Sequence, residues 1–443
     1  MTKKILLLSA NLLVCGYLLQ ANEDFETNDI SKQFLSKQNN NLSESENEKF
    51  ILGKSFFRIP WVEAPSATTA RDGLGPLFSA NSCISCHPHN GAGTVFTKEN
   101  QISRSLVTRF SIKDTIDFHN GFLPDTIYGS QLSINGIKDV KYEGKPKLHY
   151  KKIIEKYPDG IKVILSKPLI DVVDLNYGKL SSDTTITHRI APALIGMGLI
   201  EKIQEKDILI HQDINDTNND GISGKANFVY DRKSGTKRLG RFTWKASSPT
   251  LLQQTASAFQ TDMGLTNSLY PFENCTSEQK ECLDAPKSRD SLDVPDERLE
   301  AVAFYIANLK VPKPIVTKKT TKGKALFSKI GCADCHIPSY TLNNGSIISP
   351  YSDFLLHDMG SRLADNGRVE FDALPNEWRT QPLWGIGKRS WILKQTNYLH
   401  DGRAKTLEET ILWHDGEAKQ AKHRFKNLSK NERNAIIKFL GGL

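Results

Sequence analysis

Two copies of one five-residue pattern constrain the fold of this chain more than any other feature. Cys83-Ile-Ser-Cys86-His87 and Cys332-Ala-Asp-Cys335-His336 both read Cys-x-x-Cys-His. Two thiols one helical turn apart can form thioether bonds with the vinyl groups of a haem, and the histidine that follows can reach the iron. A zinc site or a redox-active dithiol could explain one copy, whereas two copies favour haem attachment. The pattern therefore predicts two covalent haem c groups, with His87 and His336 as iron ligands.

The first 21 residues have the composition of a secretory signal peptide. Lys3 and Lys4 precede an apolar run over residues 5–19, and Ala21 is a small residue at the expected cleavage point. We therefore expect export to the periplasm. The rest of the chain has no apolar run long enough to cross a bilayer, so the mature protein is predicted to have no transmembrane span.

The remaining cysteines fit an exported protein. Of the seven cysteines, four belong to the two Cys-x-x-Cys-His segments and Cys15 lies in the predicted signal peptide. Cys275 and Cys282 are left, close together in a polar stretch. An oxidising compartment favours a disulfide between them over two free thiols.

The distribution of charge along the chain argues against nucleic acid as a partner. Its 443 residues have a formal net charge of +8, but the lysines are interspersed with acidic residues and form no basic tract. Nucleic-acid binding is therefore not predicted. The mild basic excess is compatible with an acidic redox partner.

An internal repeat predicts two domains. Leu77-Phe-Ser79 and Leu326-Phe-Ser328 stand at the same offset from the first cysteine of each motif. Further on, Arg189-Ile-Ala-Pro192 is similar to Arg379-Thr-Gln-Pro382. Each half then ends in a predicted helix, the first beginning near Asp296 and the second behind the capping box Ser429-Lys-Asn-Glu432.

These features predict a mainly α fold with two tandem cytochrome c-like domains, residues 51–312 and 313–443. The first domain carries a long, partly β insertion, in which Tyr157-Pro-Asp-Gly160 separates β-branched runs and predicts a hairpin. Residues 22–50 are rich in Asn, Ser, Glu and Lys, so we expect a disordered leader there.

Several further segments give the chain a resemblance to a known family. It resembles the dihaem oxidoreductases, which are also labelled thiol oxidoreductases and are associated with peroxidase activity. More distantly it is similar to the bacterial dihaem cytochrome c peroxidases. The segments that carry the resemblance are Asp72-Gly-Leu-Gly-Pro-Leu-Phe78, Asp220-Gly-Ile-Ser-Gly224, Asp262-Met-Gly264, Leu355-Leu-His-Asp-Met-Gly360, Trp378-Arg-Thr380 and His400-Asp-Gly-Arg-Ala404.

The resemblance implies a second ligand for the second haem. In the peroxidases a His-Asp-Gly segment and a Thr-Leu-Glu-Glu helix precede a distal ligand that is commonly methionine. Here Leu399-His-Asp-Gly402 and Thr406-Leu-Glu-Glu409 lead to His414. A second imidazole would lower the haem potential relative to a thioether. The alternative is that His414 caps or packs the helix beside Trp413.

For the first haem the resemblance implies a peroxide-binding pocket. Trp244 matches a tryptophan on the path between the haems, Gln254 matches a pocket glutamine ten residues later, and Asp262 stands where the relatives have a glutamate. Cleavage of a peroxide needs an open iron position and a group that moves a proton between the two oxygens. Asp262 would move the proton and Gln254 would orient the peroxide. The alternative is an ordinary helix with both side chains on its surface.

Two weaker features complete the candidate sites. Asp216, Asn218 and Asp220 alternate before Gly221, as in the first half of a calcium loop, although no glutamate follows at the twelfth position. A solvated Asx turn is the alternative. His357 and Met359 follow the second haem motif, and we expect them to be structural.

The predicted function is that of a periplasmic dihaem oxidoreductase that is peroxidase-like and exchanges electrons between its haems. Hydrogen peroxide or a related oxidant would be one substrate, and a small redox protein such as a c-type cytochrome would be the partner. The alternatives are a non-enzymatic dihaem electron-transfer protein and an oxidase or oxygenase of a thiol or macromolecular substrate. The ligation of the first haem discriminates among them, because catalysis needs an open iron.

Overall fold

The computed structural model describes residues 25–68, 70–393 and 395–443. The predicted signal peptide therefore lies outside the described residues. Across these ranges, no helix is both long enough and apolar enough to cross a membrane.

Twelve helices occur in the described residues: α1 (Glu44–Arg58), α2 (Cys83–Cys86), α3 (Met197–Glu201), α4 (Glu205–Leu209), α5 (Leu251–Met263), α6 (Lys280–Leu283), α7 (Asp296–Ala307), α8 (Lys318–Lys329), α9 (Arg389–Ile392), α10 (Leu407–Trp413), α11 (Lys419–Asn427) and α12 (Lys430–Gly442). Short 3-10 helices cover Phe34–Ser36, Pro88–Asn90, Cys332–Asp334, Ile386–Lys388 and Gly416–Ala418.

The strands form seven two-stranded sheets within the described ranges. The pairs are β1 (Glu26–Thr27) with β10 (Val311–Pro312), β2 (Leu77–Phe78) with β4 (Asn135–Gly136), β3 (Leu106–Ile112) with β7 (Thr184–Ile190), β5 (Lys145–Lys156) with β6 (Lys162–Val173), β8 (Phe228–Asp231) with β9 (Thr236–Leu239), β11 (Tyr340–Thr341) with β12 (Ile347–Ile348), and β13 (Leu356–Asp358) with β14 (Glu377–Arg379). Only the β1–β10 pair is parallel.

The predicted mainly α, cytochrome c-like fold is wrong. The structure is only 28% helical, and 20% lies in strands of many small sheets. The helical periodicity is confined to a few segments near the two motifs and the ends of the halves, and the motifs themselves specify a site rather than a fold. Long stretches between them fold instead as loops and hairpins, because turn residues and β-branched runs dominate there.

Two similar helix pairs flank the two motifs. α1 packs against α7, and α8 packs against α12. In each pair a glycine allows close contact, because an added Cβ at Gly53 would collide with the carbonyl oxygen of Ala301, and one at Gly323 with that of Ala435. The two closing helices, α7 and α12, begin where the sequence predicted, and Ser429 and Glu432 form the predicted capping box.

The helix pairs correct part of the predicted repeat. Leu326-Phe327 lies in α8, whereas Leu77-Phe78 forms strand β2, so these two segments are not structural equivalents. The matching segment of the first half lies in α1, where Gly53-Lys-Ser-Phe-Phe57 corresponds to Gly323-Lys-Ala-Leu-Phe327. An equal offset from the cysteines was misleading because a loop separates α1 from the first motif.

The predicted hairpin is confirmed. β5 and β6 pair in antiparallel register from Lys145 opposite Val173 to Lys156 opposite Lys162, and the turn follows Tyr157. The inner side of the hairpin packs on the hydrophobic core around α10 and α12 through Tyr157 and Leu165. The Cys275–Cys282 disulfide is also formed, as predicted.

The largest hydrophobic cluster contains residues from both halves of the chain. It includes Leu355 and Trp384 beside first-half residues such as Phe259. Phe34 and Leu35 also belong to it, so residues 25–50 are folded and not the disordered leader we expected. Few apolar residues occur in this segment, but Phe25, Phe34, Leu35 and Phe50 are buried in the core. The predicted boundary between residues 312 and 313 stays a prediction.

Candidate functional site

The first Cys-x-x-Cys-His segment forms the base of a large, mainly apolar pocket. α2 carries Cys83 and Cys86, and His87 ends that helix. The pocket encloses about 1670 Å³, including the part that opens to solvent, and α5, α7 and β3 contribute to its walls. Apolar lining residues include Phe57, Leu194, Phe242, Val302 and Ile306.

His87 is oriented by a backbone carbonyl. Its Nδ1–H donates a hydrogen bond to the Pro192 carbonyl oxygen at 2.8 Å, which leaves Nε2 without a proton and free to bind a metal. Burial lowers the pKa of His87 to about 4, so the ring is neutral at ordinary pH. A neutral imidazole with one free nitrogen is the form that binds iron.

The second Cys-x-x-Cys-His segment borders a second pocket that also encloses about 1670 Å³. Cys332, Cys335 and His336 lie on one side, and His414 lies at the end of α10. Apolar residues complete much of the lining, among them Phe327, Leu363, Trp378, Leu383 and Leu440.

The two histidines of the second pocket share the hydrogen-bonding pattern of His87. Nδ1–H of His336 donates to the Tyr351 carbonyl oxygen at 2.8 Å, and Nδ1–H of His414 donates to that of Thr410 at 2.7 Å. Burial lowers the pKa of both rings, to about 4 for His336. Each ring therefore keeps Nε2 available, and the same pocket offers two imidazole ligands.

These residues fit a haem in each pocket. The four motif cysteines are unbridged, and in each pocket a pair of thiols, a free imidazole nitrogen and apolar walls occur together. Apolar walls suit the flat ring of a haem, a free imidazole nitrogen can bind its iron, and a pair of thiols is what thioether attachment of a haem would need. A zinc site would need at least three protein ligands around one ion, and the only Cys, His and carboxylate cluster of the described chain compact enough for a metal is Cys335, Asp353 and His357.

The three residues predicted for the first pocket are brought together there. Gln254 and Asp262 lie two helical turns apart on α5, with Ala258 between them on the same face of the helix. Trp244 also borders the pocket, and its Nε1–H donates to the Ile190 carbonyl oxygen at 2.9 Å. Met263, next to Asp262, is buried in the hydrophobic core at the edge of the pocket.

Asp262 lies in a setting that disfavours its charge. Burial raises the pKa of this carboxyl, and a hydrogen bond from Gln131 and the positive charge of Arg109 oppose the shift. Gln131 Nε2 donates to Asp262 Oδ1 at 2.7 Å, which fixes the carboxyl at the pocket wall. A carboxyl with a raised pKa is better suited to exchanging protons than an ordinary surface aspartate.

The wall between the two pockets includes Trp244. Arg379 borders both pockets as well, and its backbone N–H donates to the Trp244 carbonyl oxygen at 3.0 Å. Close by, Trp378 stacks on His400 with ring centroids 3.8 Å apart, and the Arg189 guanidinium lies 4.6 Å from the centre of the Trp378 ring. Arg189 is paired with the buried Asp365, which holds its guanidinium beside Trp378.

Arg109 is a candidate site residue that the sequence analysis missed. It lies on β3, where alternate residues Val107 and Arg109 face the first pocket. Its guanidinium has no hydrogen bond or ion pair with any other described residue, and the Gln254 side chain has none either. The alternation along β3 could have indicated the position, but its role depends on how β3 packs beside α5.

Arg109 and Gln254 also border a polar chamber on the outer side of α5. This chamber encloses about 1320 Å³, including its open part, and its lining contains Arg232, Gln253, Ser257, Gln260 and Glu273. Thr243, Ser247 and Glu370 border both the chamber and the first pocket. Burial raises the pKa of Glu273 to about 7.

The predicted calcium ligands use their oxygens within their own loop. The Asp216 carboxylate accepts from the Gly221 N–H, Asp220 accepts from that of Ile222, and Asn218 bonds to Asp220. This is the Asx-turn arrangement named as the alternative. No contact of the described loop favours an ion over the turn, and calcium stays a prediction.

We expected His357 to be structural, and its ring lies between two carboxylates. Nε2 lies 2.8 Å from Asp353 Oδ2, and Nδ1 lies 2.6 Å from Glu417 Oε2. Burial opposes the charge of the ring, yet the Asp353 carboxylate holds the pKa of His357 well above its usual range. With both ring nitrogens engaged, His357 has none free for iron. Met359 borders the second pocket and packs against its hydrophobic core.

Two apolar pockets, each with paired thiols and a free imidazole, define a protein that holds two haem groups. The family model described as "Di-haem oxidoreductase, putative peroxidase" matches residues 23–443, which is nearly the whole chain. The chain belongs to this family.

The other comparisons add little. Among curated proteins none matches the chain. Among solved structures it is similar to the hydrazine synthase of Kuenenia stuttgartiensis, determined under 20 bar of xenon, at 22% sequence identity and a TM-score of 0.25. The alignment covers 33% of this chain and 55% of that one, so this chain matches little more than half of it. The TM-score is too low to support any argument about fold or function.

Proposed function

We propose that this protein is an exported dihaem peroxidase that reduces hydrogen peroxide or a related small peroxide. The observation that carries the proposal is the difference between the two pockets. Two histidines with a free Nε2, His336 and His414, line the second pocket, whereas one, His87, lines the first, together with Gln254, Asp262 and Arg109. One pocket is thus suited to catalysis and the other to electron storage.

We further propose that both haems are covalently attached. Cys83 and Cys86 would hold the first and Cys332 and Cys335 the second, with His87 and His336 as iron ligands. When bound, the first haem would supply an iron with one open coordination position and the second a reversible one-electron store. The reaction is H2O2 with two protons and two electrons, giving two molecules of water.

In this proposal Asp262 moves the proton. Its ionised carboxylate would accept a proton from one oxygen of the peroxide and return it to the other, which leaves as water. Gln131 keeps Asp262 Oδ1 in place through its hydrogen bond. An aspartate here takes the place of the longer glutamate of the related peroxidases.

Arg109 and Gln254 would bind and orient the peroxide. Both side chains lack partners among the described residues, so they can donate hydrogen bonds to the peroxide without first breaking others. The guanidinium also stabilises negative charge that develops on the leaving oxygen. Since both residues border the polar chamber, a small polar oxidant would enter by that route.

The second pocket would hold the electron-storing haem, with His336 and His414 as the residues available to bind its iron. Trp244 borders both pockets and is the residue we propose for the transfer between them. The electrons would come from a small periplasmic redox protein such as a c-type cytochrome.

The experiment that tests the proposal is a titration of fully reduced protein with hydrogen peroxide under anaerobic conditions. We expect one equivalent of peroxide to oxidise both haems in a fast reaction followed by stopped-flow absorbance. A non-enzymatic electron-transfer protein would react slowly, with no fixed ratio of one peroxide to two haems. That outcome would favour the electron-transfer alternative.

A further inference from the structure

The outer face of the β5–β6 hairpin combines exposed isoleucines with exposed lysines near its turn. Ile154 and Ile164 stand directly opposite each other, and their side chains are 64% and 56% exposed. Exposed lysines surround this pair, with Lys152 and Lys156 on β5 and Lys162 on β6. We call these five residues the hairpin patch.

The hairpin concentrates the positive charge of the molecule. Residues 145–173 contain seven lysines and three acidic residues, a net charge of +4, against +8 for the whole chain. Two of the three acidic residues already have partners: Glu155 pairs with Arg362 and Lys426, and Asp159 pairs with Arg433. The lysines of the patch have no such partner among the described residues.

This arrangement works against the stability of the hairpin itself. Lys156 lies directly opposite Lys162, and Lys151 lies directly opposite Lys167. Like charges at directly opposed positions destabilise an antiparallel pair, and two exposed isoleucines gain little from burial. A two-stranded sheet is marginally stable by itself. Folding of the hairpin therefore does not account for the composition of the patch. Docking of a complementary partner would account for it.

The inner face of the hairpin connects the patch to the second pocket. Leu165 and Tyr157 are buried against the core that contains α10, and the Tyr157 hydroxyl donates to Glu408 on α10 at 2.8 Å. The same helix lines the second pocket with Leu407, Thr410 and Ile411, and His414 follows it. Helix α10 thus contacts the hairpin and also lines the pocket proposed for electron storage.

We propose that the hairpin patch is the docking surface for a small acidic redox protein that passes electrons to the second pocket. The lysines would steer a negatively charged partner toward the patch, and the isoleucine pair would form the apolar centre of the contact. The inference rests on the proposed function in requiring a redox partner and a haem in the second pocket, but not peroxidase activity.

The test measures electron transfer into the oxidised holoprotein by stopped flow, and no peroxide is present. The probe is a reduced, purified c-type cytochrome of net negative charge, and one of net positive charge serves for comparison. We expect the acidic cytochrome to react faster, with a rate constant that falls as salt is added. At low salt, the triple variant Lys152→Glu, Lys156→Glu, Lys162→Glu should react with the acidic cytochrome at least about tenfold more slowly than the wild type.

A matched control separates docking from total charge. Lys202, Lys206 and Lys237 are exposed lysines outside the hairpin, and changing all three to glutamate alters the net charge by the same amount. This control should keep most of the rate. Equal slowing of both triple variants, or faster reaction with the basic cytochrome, would overturn the proposal.

A second variant tests the apolar centre. Ile154→Asn with Ile164→Asn should weaken binding of the acidic cytochrome several-fold and leave the salt dependence of its rate unchanged. If the wild type instead sediments with anionic phospholipid vesicles, and the lysine variant abolishes that binding with no effect on the cytochrome rate, the patch binds membranes and the proposal is wrong. Because peroxide is absent, failure of the peroxidase proposal would not affect these results.

Discussion

At the level of single residues, Asp262 has surroundings that no other carboxyl of the first pocket shares. Burial raises its pKa, while Gln131 and Arg109 limit the shift, so the group can lose and regain a proton. Glu370 also borders the pocket, but Arg368 and Arg189 overcome the effect of burial and hold its pKa at about 2. Glu370 is therefore permanently charged, and Asp262 is the better proton carrier.

The first prediction concerns Asp262→Asn. Removing a proton-transfer group costs about a hundredfold to ten-thousandfold in rate, so the reaction with peroxide should slow by at least the lower figure. Both haems should be retained, because Asp262 belongs to neither motif. Stopped-flow mixing with peroxide measures the rate. Glu297→Gln, which changes an exposed carboxyl on α7, is the control and should react like the wild type.

A second prediction uses the charge of Arg109. Asp262 is active when ionised, so the peroxide rate should fall as the pH drops through its pKa. Arg109 lowers that pKa, and Arg109→Leu should therefore move the acid limb of the rate profile to higher pH. Arg109→Lys retains the charge and should restore much of the original profile. An identical acid limb in wild type and Arg109→Leu would show that Arg109 does not act on Asp262.

At the level of elements, two helix pairs, α1 with α7 and α8 with α12, depend on a glycine at the point where the helices cross. An alanine methyl group at Gly53 or Gly323 would collide with a backbone carbonyl of the opposing helix, and a backbone cannot move aside as a flexible side chain can. The first crossing lies beside α2 and the second beside the 3-10 helix that contains Cys332. Each crossing therefore positions a Cys-x-x-Cys-His segment.

The third prediction is that Gly53→Ala and Gly323→Ala each destabilise the holoprotein by about 1–3 kcal/mol, the usual cost of overpacking. Gly441→Ala is a matched control, because it lies in α12 with open space around the added methyl group. It should be neutral or slightly stabilising. Denaturant unfolding of the three variants checks these values, and equal stability of all three would contradict the crossing argument.

Elements with a local signal could be predicted from the sequence. The capping box of Ser429, the turn after Tyr157 and the Cys275–Cys282 pair each depend on residues close together in the chain. The helix α1 was missed because its apolar residues follow a polar segment that resembles a disordered leader. Phe34 is buried only because the core of residues distant in the chain receives it.

At the level of the whole molecule, the site was more predictable than the fold. The motif residues and His414 meet at the expected pockets because ligand identity and spacing are direct requirements of the chemistry. The predicted cytochrome c-like architecture was wrong because a motif does not determine how the chain between motifs folds. Arg109 was missed because its position depends on long-range packing of β3 beside α5.

The fourth prediction concerns the number of attached haems. Cys83→Ala with Cys86→Ala should leave one covalent haem, and Cys332→Ala with Cys335→Ala should leave the other, because each pocket has its own pair of thiols. Haem staining of denaturing gels and intact mass measure the result. Two attached haems in either double variant would contradict the assignment.

The most direct test of two unlike haem sites is low-temperature electron paramagnetic resonance of the purified protein, fully oxidised and half-reduced. We expect a low-spin signal with two imidazole ligands from the second pocket, lost in His414→Ala, and a high-spin signal from the first pocket in at least one state. Two low-spin signals in every state would mean that the first iron is closed, for instance by Met263. The protein would then be an electron carrier and not a peroxidase.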